Sequence, residues 1–385
     1  MQYFRDTWVE VDLDHIVDNY LQIQNHLTGG TKVMAIVKAD GYGHGAYQVA
    51  KELVDNGVDY LGVALLDEAI ALRRNGIEVP ILVLGWVSPE YASIAVRYGI
   101  TLTVFQKEWL QALGNLEQPL AIHIKFDTGM GRLGINDPNE AKLIINHIKQ
   151  NESLKLEGAF SHFATADELD SELVTKQMNR FSHYLALLEE EGIKPDVIHF
   201  GNSAGAIRFP DYDQHYVRVG ISMYGLAPSE EMKQVLPFPL KQAFSLHSKL
   251  SHVKQIQPGD TVSYGATYRT TEKEWIGTVP IGYADGWIRR YAEKGSVLVD
   301  GRFAKIVGRI CMDQLLIKLP YQVDIGTKVT LLGRQDNQEI TIDEVAMQND
   351  TINYEIPCLI SSRVPRIYKK NDAIIETMNQ ILNKS

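Results

Sequence analysis

Two cysteines in 385 residues, Cys311 and Cys358, form neither a disulfide framework nor a CxxC pair. The eleven histidines contain no HExxH pattern, so no metal is expected. No apolar run is long enough to span a bilayer, and Met1-Gln2-Tyr3-Phe4-Arg5-Asp6 lacks the apolar core of a signal peptide. A surplus of positive charge is missing too: the net charge of −10 speaks against a broad nucleic-acid-binding face. What is present, 45% hydrophobic and 22% charged residues, is the balance of a soluble globular protein. The expected home is the cytoplasm, with no membrane or nucleic-acid partner.

The chain is long enough for one barrel and a second domain. Thr7–Val11 alternates like a short strand, and Asp12 or Asp14 is placed to cap a helix running through Leu27. From Val33 onward, apolar strand candidates at 33–37, 60–64, 80–84, 101–104, 120–125, 155–160, 196–200 and 216–219 alternate with helix-like stretches. Among the latter are Asp67–Arg74, Pro138–Lys149 and Glu172–Glu190. No Gly-rich dinucleotide loop follows the first of these strands. Eight strand-then-helix units therefore predict a (β/α)8 TIM-type barrel rather than an open doubly wound sheet.

After Pro237-Phe238-Pro239 the strand-like runs crowd together between Pro258-Gly259-Asp260, Asp300-Gly301, Asp324-Ile325-Gly326 and Gly333-Arg334. That is the pattern of a C-terminal β-strand domain with tight turns. The boundary is placed near 236–242, giving a barrel domain at 1–238 and a β domain at 239–385. Residues 1–11 are open to pairing with the C-terminal domain, and Asp372–Leu382 is read as a closing helix.

Chemistry concentrates where barrel strands end. Val33-Met34-Ala35-Ile36-Val37 is apolar on both faces and runs into Lys38, followed by Ala39-Asp40-Gly41-Tyr42-Gly43-His44-Gly45. A lysine at such a strand end, desolvated by apolar neighbours, can be a nucleophilic amine for Schiff-base chemistry; the competing reading is an exposed lysine. The seventh strand ends in His199-Phe200-Gly201-Asn202-Ser203, the eighth in Val217-Arg218-Val219-Gly220-Ile221. Barrel enzymes often bind phosphate with these two loops. Taken singly, Asn202-Ser203 reads as a helix cap and Gly220 as a turn; together, at the matching strands, they read as a phosphate cradle. A reactive lysine and a phosphate cradle on one barrel mouth imply pyridoxal phosphate.

Val37–Gly45 resembles the pyridoxal-phosphate lysine motif of the alanine racemase family. Lys125-Phe126-Asp127-Thr128-Gly129-Met130-Gly131-Arg132-Leu133-Gly134 and Ser161-His162-Phe163-Ala164-Thr165-Ala166-Asp167 resemble its next segments. Val262-Ser263-Tyr264-Gly265, Pro280–Gly286, Gly308–Asp313 and Tyr354-Glu355 follow in family order, so the likeness covers nearly the whole chain.

The resemblance implies an alanine racemase supplying D-alanine for peptidoglycan, with Lys38 carrying the cofactor. Lys38 and Tyr264 would be acid/base groups on opposite faces of the substrate, the lysine serving the D-enantiomer and the tyrosine the L-enantiomer. Arg218 would face the pyridine nitrogen, with His162 nearby. Tyr42, Asn202, Ser203, Gly220, Ile221 and Tyr354 would hold the cofactor, mainly at its phosphate. Arg132 would bond the cofactor's phenolic oxygen and help bind substrate, and Met312 would offer its backbone N–H to the substrate carboxylate. Lys125 resembles a lysine that is carbamylated in many relatives. Tyr283 and Arg289 would line the entrance. A head-to-tail homodimer with shared active sites is implied as well. Val219 departs from the proline associated with its position, a change expected to affect loop stiffness more than chemistry.

Three alternatives remain at this level. A racemase of broader range, acting on serine as well as alanine, differs only in pocket volume. A barrel-type amino-acid decarboxylase uses a different ring-nitrogen partner and has no need of Tyr264. A non-catalytic pyridoxal-phosphate-binding protein resembles the barrel alone.

Overall fold

The computed structural model describes residues 3–382. The chain divides into a barrel unit, Ile16–Gly41 with Ala46–Lys241, and a second unit, Met1–His15 with Tyr42–Gly45 and Gln242–Ser385. Strand β1 (Thr7–Asp12) belongs to the second unit.

Barrel strands are β2 (Lys32–Ile36), β3 (Leu61–Val63), β4 (Ile81–Val83), β5 (Thr101–Val104), β6 (Leu120–Lys125), β7 (Leu154–Phe160), β8 (Val197–His199) and β9 (Tyr216–Val219). Each pairs in parallel with the next, and β9 returns to β2 in the register Val33↔Val217, closing the barrel. Side chains such as those of Val33, Met34, Leu82 and Val83 are buried, as expected of strands covered on both faces. Inside, Gly62 makes room for its neighbours: a Cβ there would lie 2.5 Å from Ile36 Cδ1. A Cβ on Gly158 would lie 2.6 Å from the His123 ring.

Outer helices follow their local signals. Asp137 caps Pro138–Gln150 by accepting from Asn139 N, with proline at the first helical position. Helix Glu172–Glu190 buries Val174, Gln177, Phe181, Tyr184 and Leu188, one stripe at three- and four-residue spacing. The last strand is followed by only a 3₁₀ turn, Ile221–Tyr224, and the short helix Glu230–Lys233. No described helix is long and apolar enough to cross a membrane.

The second unit contains β10 (Phe244–Lys249), β11 (His252–Ile256), β12 (Thr261–Val262), β13 (Tyr268–Arg269), β14 (Glu274–Val279) and β15 (Ser296–Val299). It continues with β16 (Arg302–Lys305), β17 (Leu315–Leu319), β18 (Lys328–Gln335), β19 (Gln338–Ile340), β20 (Arg366–Lys370) and β21 (Ala373–Met378). The main sheet runs β16-β15-β18-β10-β1-β20-β21, with β19 on β18. Strand β1 therefore lies inside it, antiparallel to β10 and parallel to β20.

The unit is strand-rich, with short helices at Ile342–Gln348 and Glu355–Leu359. One expectation is corrected. The tail expected as a helix at 372–382 forms β21 instead. Asn371 and Asp372 both have positive φ (51° and 59°), the backbone of a two-residue hairpin turn, and pair Lys370 with Ala373. The β-branched Ile374, Ile375 and Thr377 then favour a strand.

One buried cation ties this unit together. Arg366 donates to the carbonyls of Ile360 (2.6 Å), Ser361 (2.6 Å), Val364 (2.7 Å) and Gly43 (3.2 Å). Replacing it leaves buried carbonyls without donors. Arg366→Met is expected to cost on the order of 3 kcal/mol or more, read as a lower urea midpoint.

Candidate active site

In the barrel unit Lys38 follows β2 with only Val37 between, and is half-buried. Behind it the backbone turns left-handed at Ala39, Asp40 and Gly41, with φ of 52°, 53° and 59°. For residues other than glycine this costs about 1–2 kcal/mol each. Four hydrogen bonds oppose the strain. Ala39 N donates to Glu68 Oε1 (2.7 Å), Ala46 N to Asp40 Oδ1 (2.9 Å), Gly41 N to Val37 O (2.9 Å) and Tyr224 Oη to Ile36 O (3.0 Å). The lysine thus sits on a braced, strained turn, as functional groups often do.

Arg218, on β9, is buried. Its Nη1 donates to His199 Nδ1 (2.7 Å), and its Nη2 to His162 Nδ1 (2.8 Å), Ser161 O (2.8 Å) and Phe200 O (3.0 Å). Nε–H is left without an acceptor among the described residues. Burial and the charge of Arg132 lower the Arg218 pKa to about 9, which still leaves it cationic at neutral pH. Since Arg218 only donates, His162 Nδ1 must accept, which puts the imidazole proton on Nε2. Burial, then Arg218, Arg132, Lys125 and Lys38, hold the His162 pKa well below its usual value.

Lys125 ends β6 with Nζ 5.3 Å from the centre of the Phe160 ring. Burial, then the charges of Arg218, Arg132 and Lys38, pull its pKa down to about 7, against a smaller opposing effect of Asp127. Lys38, Lys125, Arg132, His162 and Arg218 therefore lie within one another's fields. Asp127 is the nearby acid, with Oδ1 accepting from the N–H groups of Gly129, Met130 and Gly131. Such a mouth favours anions.

At the other two strand ends, Gly220 N donates to Ser203 Oγ at 3.1 Å, joining the loops expected to hold phosphate. Asn202 Oδ1 accepts from Gly205 N, so that side chain serves as the helix cap. A cavity of 610 Å³ in this unit lies elsewhere, among Asp127, Asn136, Arg180, His183 and Tyr184. It is lined by none of Lys38, Lys125, Arg132 or Arg218.

The second unit carries the remaining candidates. Tyr42 and Tyr354 have ring centroids 6.3 Å apart. Burial, then Tyr354 and Cys358, raise the Tyr42 pKa, keeping its hydroxyl protonated. Tyr264 is 70% exposed and sits among positive φ angles at Ser263 (65°), Gly265 (74°) and Ala266 (49°). Ser263 Oγ braces the turn by donating to Arg309 O at 2.6 Å.

Tyr264 lines a 430 Å³ depression with Ser263, Cys311, Met312, Asp313 and Gln314. Met312 approaches Gly282 closely: a Cβ on that glycine would lie 2.4 Å from Met312 O. The Met312 N–H has no acceptor among the described residues. Tyr283 and Arg289 are exposed. Among the described residues no group of three histidines, cysteines or acids could hold a metal ion.

Sequence reasoning missed His123, His199 and Glu157, which pack behind Arg218. Their signal was two histidines inside strand candidates that otherwise read as apolar.

Two family models match: "Alanine racemase, N-terminal domain" over residues 11–228 and "Alanine racemase, C-terminal domain" over 243–368. The alanine racemase of Anoxybacillus flavithermus is 53% identical over 385 residues, covering 99% of each chain. The crystal structure of alanine racemase from Bacillus anthracis with bound L-Ala-P superposes with a TM-score of 0.97, at 46% identity and full coverage of both chains. A histidine racemase from Leuconostoc mesenteroides has a TM-score of 0.88 at 30% identity, over 96% of this chain and 99% of that one.

The lowered Lys125 pKa has a pH signature. The folded state favours the neutral amine, while the unfolded lysine titrates near 10.4. Folding therefore carries a charge penalty that is full below about pH 7 and fades as pH rises toward 10.4. In CO₂-free buffer, Lys125→Met is expected to raise stability by roughly 3–5 kcal/mol near pH 6, and by progressively less toward pH 10. Denaturant midpoints of both proteins across that range check the trend.

Proposed function

This chain belongs to the alanine racemase family, pyridoxal-phosphate-dependent isomerases that interconvert L- and D-alanine, and we propose that it does so with Lys38 and Tyr264 as its two bases. The observation that carries the reading is the cluster of Lys38, Lys125, Arg132, His162 and Arg218 at one barrel mouth. It matches a dianionic phosphate and a substrate carboxylate. Pyridoxal phosphate, when bound, supplies the aldehyde that captures the amino group and the ring that draws off the electron pair left by the α-proton.

The residues fit that cofactor. On the barrel unit, Ser203 Oγ–H, oriented by the Gly220 N–H it accepts, and the N–H of Ile221 are the phosphate donors. The unspent Arg218 Nε–H suits an unprotonated ring nitrogen, because arginine does not readily give up its proton. Arg132 holds the phenolic oxygen and binds the substrate carboxylate, to which the Met312 N–H of a second copy of the chain donates. Lys125, half neutral near pH 7, is disposed to add CO₂; the resulting carbamate would be stabilised by Arg132 and Arg218 and would hold Arg132 in place. Asn202 contributes by capping the loop that carries Ser203. Tyr283 and Arg289 guard the entrance.

Lys38 exchanges the proton on the D-face and Tyr264 on the L-face, so each enantiomer meets a different base. The site is cytoplasmic, and its D-alanine serves peptidoglycan. Likeness to a histidine racemase means that the fold does not choose the side chain, so serine belongs beside alanine in any substrate test. The two-base assignment is tested in deuterated water. Tyr264→Phe should slow α-proton exchange of L-alanine by about 10²-fold or more while sparing that of D-alanine. Equal losses would make Tyr264 structural.

Tyr264 and Met312, 70% and 53% exposed, need cover before either can work in a dry site. A second copy of the chain provides it in a two-fold dimer, Lys38 of one subunit meeting the partner subunit's Tyr264. Mixing inactive Lys38→Ala and Tyr264→Phe subunits after reversible dissociation should restore about a quarter of wild-type activity: half the dimers are hybrids, each with one intact site. No recovery in mass-verified hybrids would return both bases to one chain.

A further inference from the structure

The interior of a TIM-type barrel is normally filled by layers of branched aliphatic side chains. Here a polar chain runs through it. From Arg218 it passes to His199, where Nη1 donates to Nδ1 at 2.7 Å. His199 Nε2 lies 2.8 Å from His123 Nδ1, and His123 Nε2 lies 3.2 Å from Glu157 Oε2. That carboxylate oxygen also accepts from Tyr60 Oη (2.9 Å) and Thr101 Oγ1 (3.1 Å). Thr101 opens β5 and Tyr60 precedes β3, so the chain leads from the mouth toward the strand starts.

Its direction is set at both ends. A guanidinium only donates, so His199 Nδ1 must accept and its proton sits on Nε2. His123 Nδ1 must then accept from His199, which puts the His123 proton on Nε2, facing Glu157. Both rings are buried, and burial lowers both pKa values, so each carries one proton. The far end needs an acceptor that cannot reverse the order, and a carboxylate has no proton to offer. The His123 hydrogen bond keeps Glu157 ionised, with a pKa of about 2. The bulge in β6–β7 pairing between Ile122 and His123, and the space left by Gly158 beside the His123 ring, seat that ring in the line.

We infer that Glu157 is a positioning residue for the reaction: by accepting from His123 it fixes the tautomers of His123 and His199, and so holds Arg218 in place. Its effect on catalysis rests on the reading of Arg218 as the ring-nitrogen partner; the tautomer lock does not.

The test uses ¹⁵N NMR of histidine-labelled full-length protein, with and without cofactor, alongside kinetics. Wild type should show His123 and His199 neutral and protonated on Nε2. Glu157→Gln, which keeps a carbonyl acceptor, should retain both tautomers and most of kcat. Tyr60 Oη also lies 3.3 Å from His123 Nε2, so Glu157→Leu combined with Tyr60→Phe removes both acceptors and should populate the Nδ1–H form of His123. The double variant should also lower kcat about 10- to 100-fold with little change in KM.

An Nδ1–H His123 in wild type would overturn the proposal even if the double variant fails to fold. So would a double variant with unchanged tautomers and kcat, or a glutamine variant that loses them. If no amino acid is racemised yet the tautomers respond as stated, the functional reading fails and the lock survives.

Discussion

Everything at the barrel mouth depends on one buried cation with no carboxylate in contact among the described residues. Transferring a guanidinium out of water costs several kcal/mol unless its donors are satisfied. The two Nη groups of Arg218 are satisfied by carbonyls and neutral imidazoles, which take their hydrogen bonds without cancelling the charge. Burial first, and then the field left over, depress the pKa of Lys125, His162 and His199 together. A carboxylate in contact with Arg218 would weaken this effect and, with it, the attraction for anions. The polar barrel core and the basic mouth are thus two results of one choice of residue.

Much of the barrel was legible from buried, unalternating runs. The expected strands at 101–104, 120–125 and 216–219 match the observed bounds, and 33–37 is displaced by one residue. Even there, Val37 N still donates to Gly62 O. Lys38, Ser203, Gly220 and Arg218 could be placed because strand ends face the mouth in this topology. The left-handed turn after Lys38 could not, because alanine carries no signal for positive φ and aspartate only a weak one; bonds to distant residues such as Glu68 and Tyr224 hold it. The helix expected over Asp372–Leu382 starts on the second residue of the Asn371-Asp372 hairpin turn, which sends the tail back as a strand instead.

Strain is distributed unevenly. Both proposed bases stand beside non-glycine residues of positive φ: Ala39 and Asp40 after Lys38, and Ser263 and Ala266 around Tyr264. Each turn is braced by hydrogen bonds to residues remote in sequence, so each base is held by the folded unit rather than by its own segment. That suits groups whose separation must stay fixed while a proton moves between them and the substrate.

Strand β1 brings a problem of timing. It is made well before its neighbours in the sheet, β10 and β20, which begin at Phe244 and Arg366. On the ribosome an apolar strand with two open edges must wait for more than two hundred residues before either edge is covered, while the barrel sequence in between is already complete. The nascent chain is therefore most exposed to misassociation late in synthesis, when the barrel can fold but the sheet cannot. The same discontinuity means that cutting the gene between the two family segments would leave β1 attached to the wrong half. A C-terminal fragment would then present a sheet with a gap in its middle, open to any extended segment able to fill it.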